Sequence, residues 1–333
     1  MRCCLILLLA AVATACQPPE PVRHREARAL MGTLVEVTAE GADPVMLAAA
    51  GDAAYREMGR LSDMMNHYDP GSVVSAINRA AGVRPVAVPP ELMQVLQRAT
   101  EISERSGGAF DITVGALRGW RFDPDRPEMP DRRAIAGMLE RVDYRRLELD
   151  VAAGTAFLAR AGMRIDLGGI AKLYILDAGI GVFERHGVDR AMINGGGDVV
   201  VTGGAPKRPW RVGIRDPRQP ERLFGVVEIE RGYVVSSGDY ERFFIKDGRR
   251  YHHILDPRTG YPTEGPRGVT LVSESLDRVN GLSAAIMVLG AERGRALIEA
   301  DPAVEGVIFG RDGSTWVSPA LQPRLVAPED ATE

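Results

Sequence analysis

Ile165-Asp166-Leu167-Gly168-Gly169-Ile170-Ala171-Lys172 leads into an apolar stretch that closes at His186-Gly187. Glycines at its head and just past its end predict a helix over Leu167 to His186. Glycine at a helix start exposes backbone N–H groups, and the helix dipole favours an anion there. Lys172, one turn in, adds a point charge suited to phosphate. The stretch matches neither the P-loop pattern nor Gly-x-Gly-x-x-Gly, so neither of those phosphate-binding signatures applies.

Outward from this helix, the chain alternates strand and helix signals without a steady βαβ rhythm. Ala29 to Thr38 reads as one strand with Met31-Gly32-Thr33 inside it. Asp43-Pro44 starts a helix that apolar spacing carries to Met65. Tyr68-Asp69-Pro70-Gly71-Ser72 is a turn, Val73 to Ala80 a short helix, and Pro89-Pro90-Glu91 opens another that ends near Gly107-Gly108. Arg145 to Ala161 reads as a hairpin around Ala152-Ala153-Gly154. Ala191 to Val201, Trp210 to Ile214, Gly225 to Ile229, Tyr233 to Ser237, Glu241 to Lys246 and Val269 to Ser273 are strand candidates. Leu276 to Leu289 reads as a single helix, and a closing hairpin spans Ala303 to Val317 around Arg311-Asp312-Gly313. The pattern predicts an α+β fold.

The 333 residues are 45% hydrophobic and 26% charged, a composition able to build a large core. A net charge of −4 gives no basic footprint, so no nucleic-acid partner is expected. Thirty-seven glycines and 22 prolines point to tight loops rather than a helical bundle.

The N-terminus reads as an export signal. Arg2 precedes Leu5 to Ala15, apolar but for Thr14 and shorter than the ~20 residues of a membrane span. Ala13-Thr14-Ala15-Cys16 resembles a bacterial lipobox, in which cleavage leaves a lipid-modified Cys16. All three cysteines lie at or before that cut, so the mature chain has none for a disulfide or a thiolate metal site. The expected organisation is a lipoprotein signal peptide over 1–15, lipidated Cys16 with a Pro-rich tether over 16–27, one domain over 28–323, and a flexible tail over 324–333.

Two further glycine-rich stretches stand out, Gly108-Ala109-Phe110-Asp111-Ile112-Thr113-Val114-Gly115 and Ile193-Asn194-Gly195-Gly196-Gly197-Asp198. Each alone is a tight turn. Together with the first they suggest a ligand wrapped by backbone.

These stretches also carry a resemblance. With Met31-Gly32-Thr33, Tyr68 to Asn78, Ser236-Ser237-Gly238-Asp239-Tyr240 and His253-Ile254-Leu255-Asp256-Pro257-Arg258-Thr259-Gly260, the chain resembles the FAD:protein FMN transferase family, the ApbE-type flavin-transfer lipoproteins, from Met31 to about Gly290. The resemblance implies a T-fold-like α+β architecture of mixed or antiparallel sheets with packed helices. It implies FAD as substrate, Mg²⁺ as cofactor, and transfer of FMN to a Thr or Ser hydroxyl of an exported acceptor protein, with release of AMP.

By the same resemblance Met31, Tyr68, Ala109, Phe110, Asp111, Asp166, Lys172 and Ile254 bind the dinucleotide, and Gly169 offers its carbonyl to the metal. Chemistry suits several of these roles: a soft Met31 or an aromatic Tyr68 against a flat ring, and Lys172 beside phosphate. A core methionine, a turn tyrosine and a solvated lysine are the ordinary alternatives. His253 is the candidate general base, because histidine titrates near neutrality; its rival reading is a buried structural histidine. His252 should face the opposite way, and Asp256, before Pro257, reads as a turn former.

The metal helix departs from the family. Its Asp and Thr positions fall on Asn280 and Ala284. Asn280 offers only a neutral oxygen and the Ala284 side chain none, whereas Mg²⁺ prefers carboxylates. Asp277, three residues before Asn280 and on the same face of a continuous helix, is the expected substitute. Three activities stay open on the sequence: FMN transfer, hydrolysis of FAD to FMN and AMP, and a low-turnover FAD-binding scaffold. The expected location is an exported lipoprotein held to a membrane by its lipid anchor.

Overall fold

A computed structural model describes residues 21–204 and 208–328. The chain begins with a hairpin of β1 (Val22–Leu30) and β2 (Thr33–Gly41). The single strand expected over Ala29 to Thr38 is therefore two. Met31 (φ 53°) and Gly32 (φ 72°) both adopt the left-handed conformation that a two-residue hairpin turn demands. β1 also takes up the second half of the expected tether, since residues 22–27 pair with β2. The signal peptide and Cys16 lie outside the described residues.

Helix α1 (Pro44–Met65) starts where Asp43 Oδ1 accepts the Val45 and Met46 N–H groups, with Pro44 in its first turn. Leu47, Ala50, Ala54, Met58, Leu61 and Met65 recur at three- and four-residue steps and are buried. Then follow α2 (Val73–Arg79), capped by Ser72, β3 (Val86–Ala87), α3 (Pro90–Arg105), and α4 (Arg132–Leu139), capped by Asp131. β4 (Leu147–Asp150) and β5 (Thr155–Leu158) form the expected hairpin, to which β3 adds a third strand.

The glycine-led helix is α5 (Ala171–Arg185), with Leu167 to Gly169 forming the turn before it. The apolar run over Ala191 to Val201 folds back on itself as β6 (Arg190–Gly195) and β7 (Asp198–Thr202), because Gly196 (φ 61°) and Gly197 (φ 95°) make the turn. Continuing, the chain forms β8 (Trp210–Asp216), β9 (Gln219–Ile229), β10 (Gly232–Gly238), β11 (Phe243–Lys246), β12 (Arg249–His252) and β13 (Gly268–Ser273).

The single helix expected over Leu276 to Leu289 is broken into α6 (Leu276–Val279) and α7 (Leu282–Leu289). Asn280 is extended and Gly281 left-handed (φ 80°), which ends one helix and restarts another. α8 (Ala291–Glu299), β14 (Glu305–Phe309), β15 (Thr315–Val317) and β16 (Leu325–Val326) complete the chain. The tail expected to be loose from 324 is tied down at its start: β16 pairs with β9, and Arg324 meets Glu305 at 2.8 Å.

Eight strands form one antiparallel sheet in the order β1-β2-β6-β7-β10-β13-β14-β15. Alternation sends its central side chains to two cores. Val35, Val37, Ile193, Val200, Val235, Leu271 and Ile308 join the helices α1, α5 and α7 on one face. Val199, Val201, Val234, Val272 and Val307 face the other way, against Trp210, Val212, Ile214 and Val227 of the β8–β9 hairpin. β7 is consequently buried along its whole length. Such covered strands read as unbroken apolar runs, which hides their ends in the sequence.

Candidate active site

The cleft lies where one end of the large sheet meets the N-termini of α5 and α7. Register brings the pieces together. Val35 on β2 sits opposite Gly195 on β6, so the Met31-Gly32 turn and the Gly196-Gly197 turn are neighbours. A Cβ on Gly196 would lie 2.5 Å from Thr33 Oγ1, so only glycine lets the two turns touch. Asn194 Oδ1 accepts the Gly197 N–H at 3.0 Å and holds the second turn in shape. β7 then starts at Asp198.

Asp198 is the link between sheet and helix. Its side chain is 7% exposed, and Oδ2 lies 2.7 Å from Lys172 Nζ on the first turn of α5. Its Oδ1 accepts the Ser236 N–H at 3.0 Å, fixing β10 as well. Next along β10, Ser237 Oγ meets Ser283 Oγ in α7 at 2.9 Å. Deeper in, the Tyr233 hydroxyl donates to Asp177 Oδ1 at 2.6 Å, clamping α5 to β10. Burial raises the Asp177 carboxyl, and the Tyr233 hydrogen bond offsets part of that rise.

The two helix starts converge on one aromatic ring. Neither α5 nor α7 has a side-chain cap. Phe110 Cε2 would lie 3.0 Å from a Cβ on Gly169 and 3.4 Å from one on Gly281, and a Gly169 Cβ would stand 4.0 Å from Ala284 Cβ. The starts of α5 and α7 thus lie side by side, with Lys172 in the first turn of α5 and the Ala171 N–H already bonded to the Leu167 carbonyl at 2.8 Å. This arrangement suits a ligand with more than one phosphate.

His253 follows β12, and its N–H donates to the Arg242 carbonyl at 3.1 Å. Its Nδ1 is buried without a hydrogen-bond partner. Burial, aided by the positive charges of Arg242 and Lys172 and by neighbouring His252, pushes its pKa down to about 3, so the ring is neutral at pH 7. His252 instead sits in the core and bonds the Thr263 carbonyl through Nε2 at 3.0 Å. Asp256 receives the Arg258 N–H at 2.9 Å and serves its turn.

The other expected contacts divide. Tyr68 is 78% exposed, its ring tilted 38° against His67 at 3.9 Å. His67 Nδ1 stands 3.3 Å from Asp166 Oδ1, which also accepts the Gly168 N–H at 2.8 Å. Met31 occupies its hairpin turn half-buried, Ala109 and Phe110 are buried, and Ile254 packs at the edge of the main core.

Asp111 has a structural duty. Its Oδ1 takes the Thr113 N–H and hydroxyl at 2.7 and 2.6 Å, and its Oδ2 takes the Tyr144 N–H at 2.9 Å. Burial raises its pKa against these bonds. The carboxylate knits two loops together, with both oxygens accepting hydrogen bonds from the chain.

Asp277 is a correction. The break at Asn280-Gly281 cancels the shared helix face: Asn280 is buried at 3% exposure, whereas the Asp277 side chain is 77% exposed and looks toward Arg98 Nε at 3.9 Å. Around Gly169 the candidate donors are thus a backbone carbonyl and the Asn280 amide oxygen, with nothing from Ala284. Among the described residues no group of three His, Cys, Asp or Glu side chains is placed to hold a metal. Beside this neutral pair stands one carboxylate, Asp166, whose Oδ1 accepts the Gly168 N–H at 2.8 Å and which is the anionic oxygen nearest to hand for a Mg²⁺ ion. Sequence reasoning gave Asp198 only a share in the Asn194-to-Asp198 stretch, read as shaping the adenine side of the pocket or as a turn, and gave His67 and Ser283 no role. The first ends a glycine stretch already singled out, and the second adjoins Tyr68, which were the available signals.

Fold and site together define an α+β protein that gathers two helix starts without side-chain caps, a lysine and a neutral imidazole at one end of its large sheet. The chain belongs to the ApbE family, whose profile matches residues 31–308. It is 33% identical to an FAD:protein FMN transferase of Treponema pallidum, over 91% of this chain and 88% of that one. It is 34% identical to one of Klebsiella pneumoniae, over 79% and 83%. Its fold is similar to the crystal structure of an ApbE protein from Thermotoga maritima (TM-score 0.83, 30% identity, covering 91% and 99%). It is likewise similar to the flavin transferase ApbE of Vibrio cholerae (TM-score 0.79, 28% identity, 92% and 100%).

Proposed function

We propose that this chain transfers FMN from FAD to a Thr or Ser hydroxyl of an exported acceptor protein, leaving a phosphoester and releasing AMP. The observation that carries this reading is the pairing of Lys172 and two uncapped helix starts with the neutral His253 ring.

The N–H groups at the starts of α5 and α7 and the Lys172 ammonium hold the diphosphate, and the exposed Tyr68 ring offers a face to the flavin. The acceptor oxygen attacks the FMN phosphorus, and the bond from that phosphorus to the bridging oxygen breaks. AMP departs with the bridging oxygen. His253 receives the hydroxyl proton. Its low basicity in the free chain arises partly from Arg242 and Lys172, so a bound diphosphate that neutralises those charges raises it when the proton must move. No step is routed through Mg²⁺.

The proposal includes location: export, and anchoring to a membrane through lipid on Cys16. Cys16→Ser should move the chain from the membrane to the soluble fraction, and a variant that stays membrane-bound would count against the anchor.

To test the activity, the protein is incubated with FAD and an acceptor domain bearing a Thr. Flavin fluorescence on the denatured acceptor, with one AMP per flavin attached, is the expected result. AMP and free FMN without labelled acceptor would mean hydrolysis. FAD recovered intact would mean binding alone.

A further inference from the structure

A second concavity of about 560 Å³ lies apart from the cleft: Gly169, Lys172, His253 and Asn280 do not line it. Its wall carries Arg118, Arg141 and Arg164 and not one Asp or Glu. None of these guanidinium groups makes a hydrogen bond or ion pair with a described residue. In a chain of net charge −4, three cations gathered without an acid are not a consequence of composition.

The arginines are held in place by their backbones. The Arg118 N–H reaches Met138 Sδ in α4 at 3.1 Å. Arg141 lies against Gly162 (φ 80°), where a Cβ would stand 3.0 Å from its Nε, so a side chain at 162 would displace it. Arg164 bridges Val114, and the next residue, Ile165, is gripped on both backbone groups by the Asn78 amide at 3.0 and 2.7 Å. Asn78 is thereby tied to the backbone, and the guanidinium groups are the charged donors of the wall. Burial and the charge of Arg118 both pull Arg164 below the usual arginine range, so the cluster repels itself and an anion would relieve it.

We propose that this concavity is a second binding site, for a phosphate-bearing ligand of nucleotide size. Guanidinium forks match phosphate oxygens in pairs. The volume exceeds what a bare phosphate needs and falls within the range of small-molecule sites. Pro130, Ala134, Met138 and Met163 supply an apolar wall for a flat base. The site stands whether or not the first cleft takes a flavin.

AMP is the probe, titrated calorimetrically into the purified full chain carrying Lys172→Ala, which disables the first cleft. One AMP per chain should bind, with inorganic phosphate weaker and adenosine silent. Adding Arg118→Gln and Arg164→Gln should weaken AMP at least tenfold. Arg141→Glu, which sets an acid among the other two arginines, should do the same while keeping the fold, checked by its melting curve. Absence of AMP binding to the Lys172→Ala chain, equal binding of adenosine, or unchanged AMP affinity in the arginine variants would each overturn the proposal.

Discussion

Replacing Lys172 by Met keeps the stem and deletes the charge. The partner left behind, Asp198, is 7% exposed, and Lys172 itself is 30% exposed. Removing one partner from a fully buried ion pair costs ~3–5 kcal/mol. Here the Ser236 N–H still serves one Asp198 oxygen, and water reaches the lysine end. We expect about half that cost, ~2 kcal/mol, or roughly 3 °C in Tm for a chain of this size. Affinity is a separate readout. A hydrogen bond to a charged group contributes ~1.5–3 kcal/mol, so the dissociation constant for FAD should rise about 10- to 150-fold. Adding Asp198→Asn removes the orphaned charge, and the double variant should recover most of the Tm and none of the affinity. Melting curves and flavin fluorescence quenching measure the two effects independently. The reasoning is refuted if Lys172→Met melts like the parent, or if the double variant regains FAD affinity.

Burial of His253 makes stability depend on pH. Its folded pKa, about 3, lies below the unfolded value near 6.5, so below pH 6.5 the unfolded chain binds the extra proton. Stability should therefore fall as pH drops from 6.5 toward 3, by up to ~1.4 kcal/mol per pH unit from this group. His252, also lowered by burial, adds in the same direction. His253→Gln should flatten the acid limb of a denaturant series and abolish transfer; an unchanged acid limb would contradict the burial argument. Asn280→Asp with Ala284→Thr supplies an anionic and a hydroxyl oxygen beside Gly169, so it should create a Mg²⁺-dependent rise in Tm that the parent lacks. A parent already stabilised by Mg²⁺ without FAD would show the existing donor set to be sufficient. Asp111→Ala removes the acceptor of three hydrogen bonds and should lower stability by ~2–4 kcal/mol while the folded fraction keeps its FAD affinity. Lost affinity with an unchanged Tm would return Asp111 to the ligand.

Local signals did well where one segment carries its own instructions. The Asp43-Pro44 start of α1, the Gly168-Gly169 approach to α5 and the Ala152-Ala153-Gly154 hairpin turn each rest on caps, dipoles and left-handed glycines, which act within a few residues. The errors share a cause. Ala191 to Val201 looked like one strand because β7 is covered on both faces, so its apolar run hid a reversal that Gly196 and Gly197 make. Leu276 to Leu289 looked continuous because a 3.6-residue pattern survives on both sides of the Gly281 break.

The amino-acid order alone thus determined the α+β class, the family and the glycine-led start of α5, since each rests on short-range chemistry or on motifs in sequence. Which charges meet was decided only by the tertiary structure. Lys172 reaches Asp198 because β7 begins beside α5, Asp111 is tied to Tyr144, and Asp277 parts from Asn280 at a helix break. Arg118, Arg141 and Arg164 come from three different segments and share one cavity through packing alone. Electrostatic energy depends on distance and burial, and neither is written in the spacing of residues along the chain.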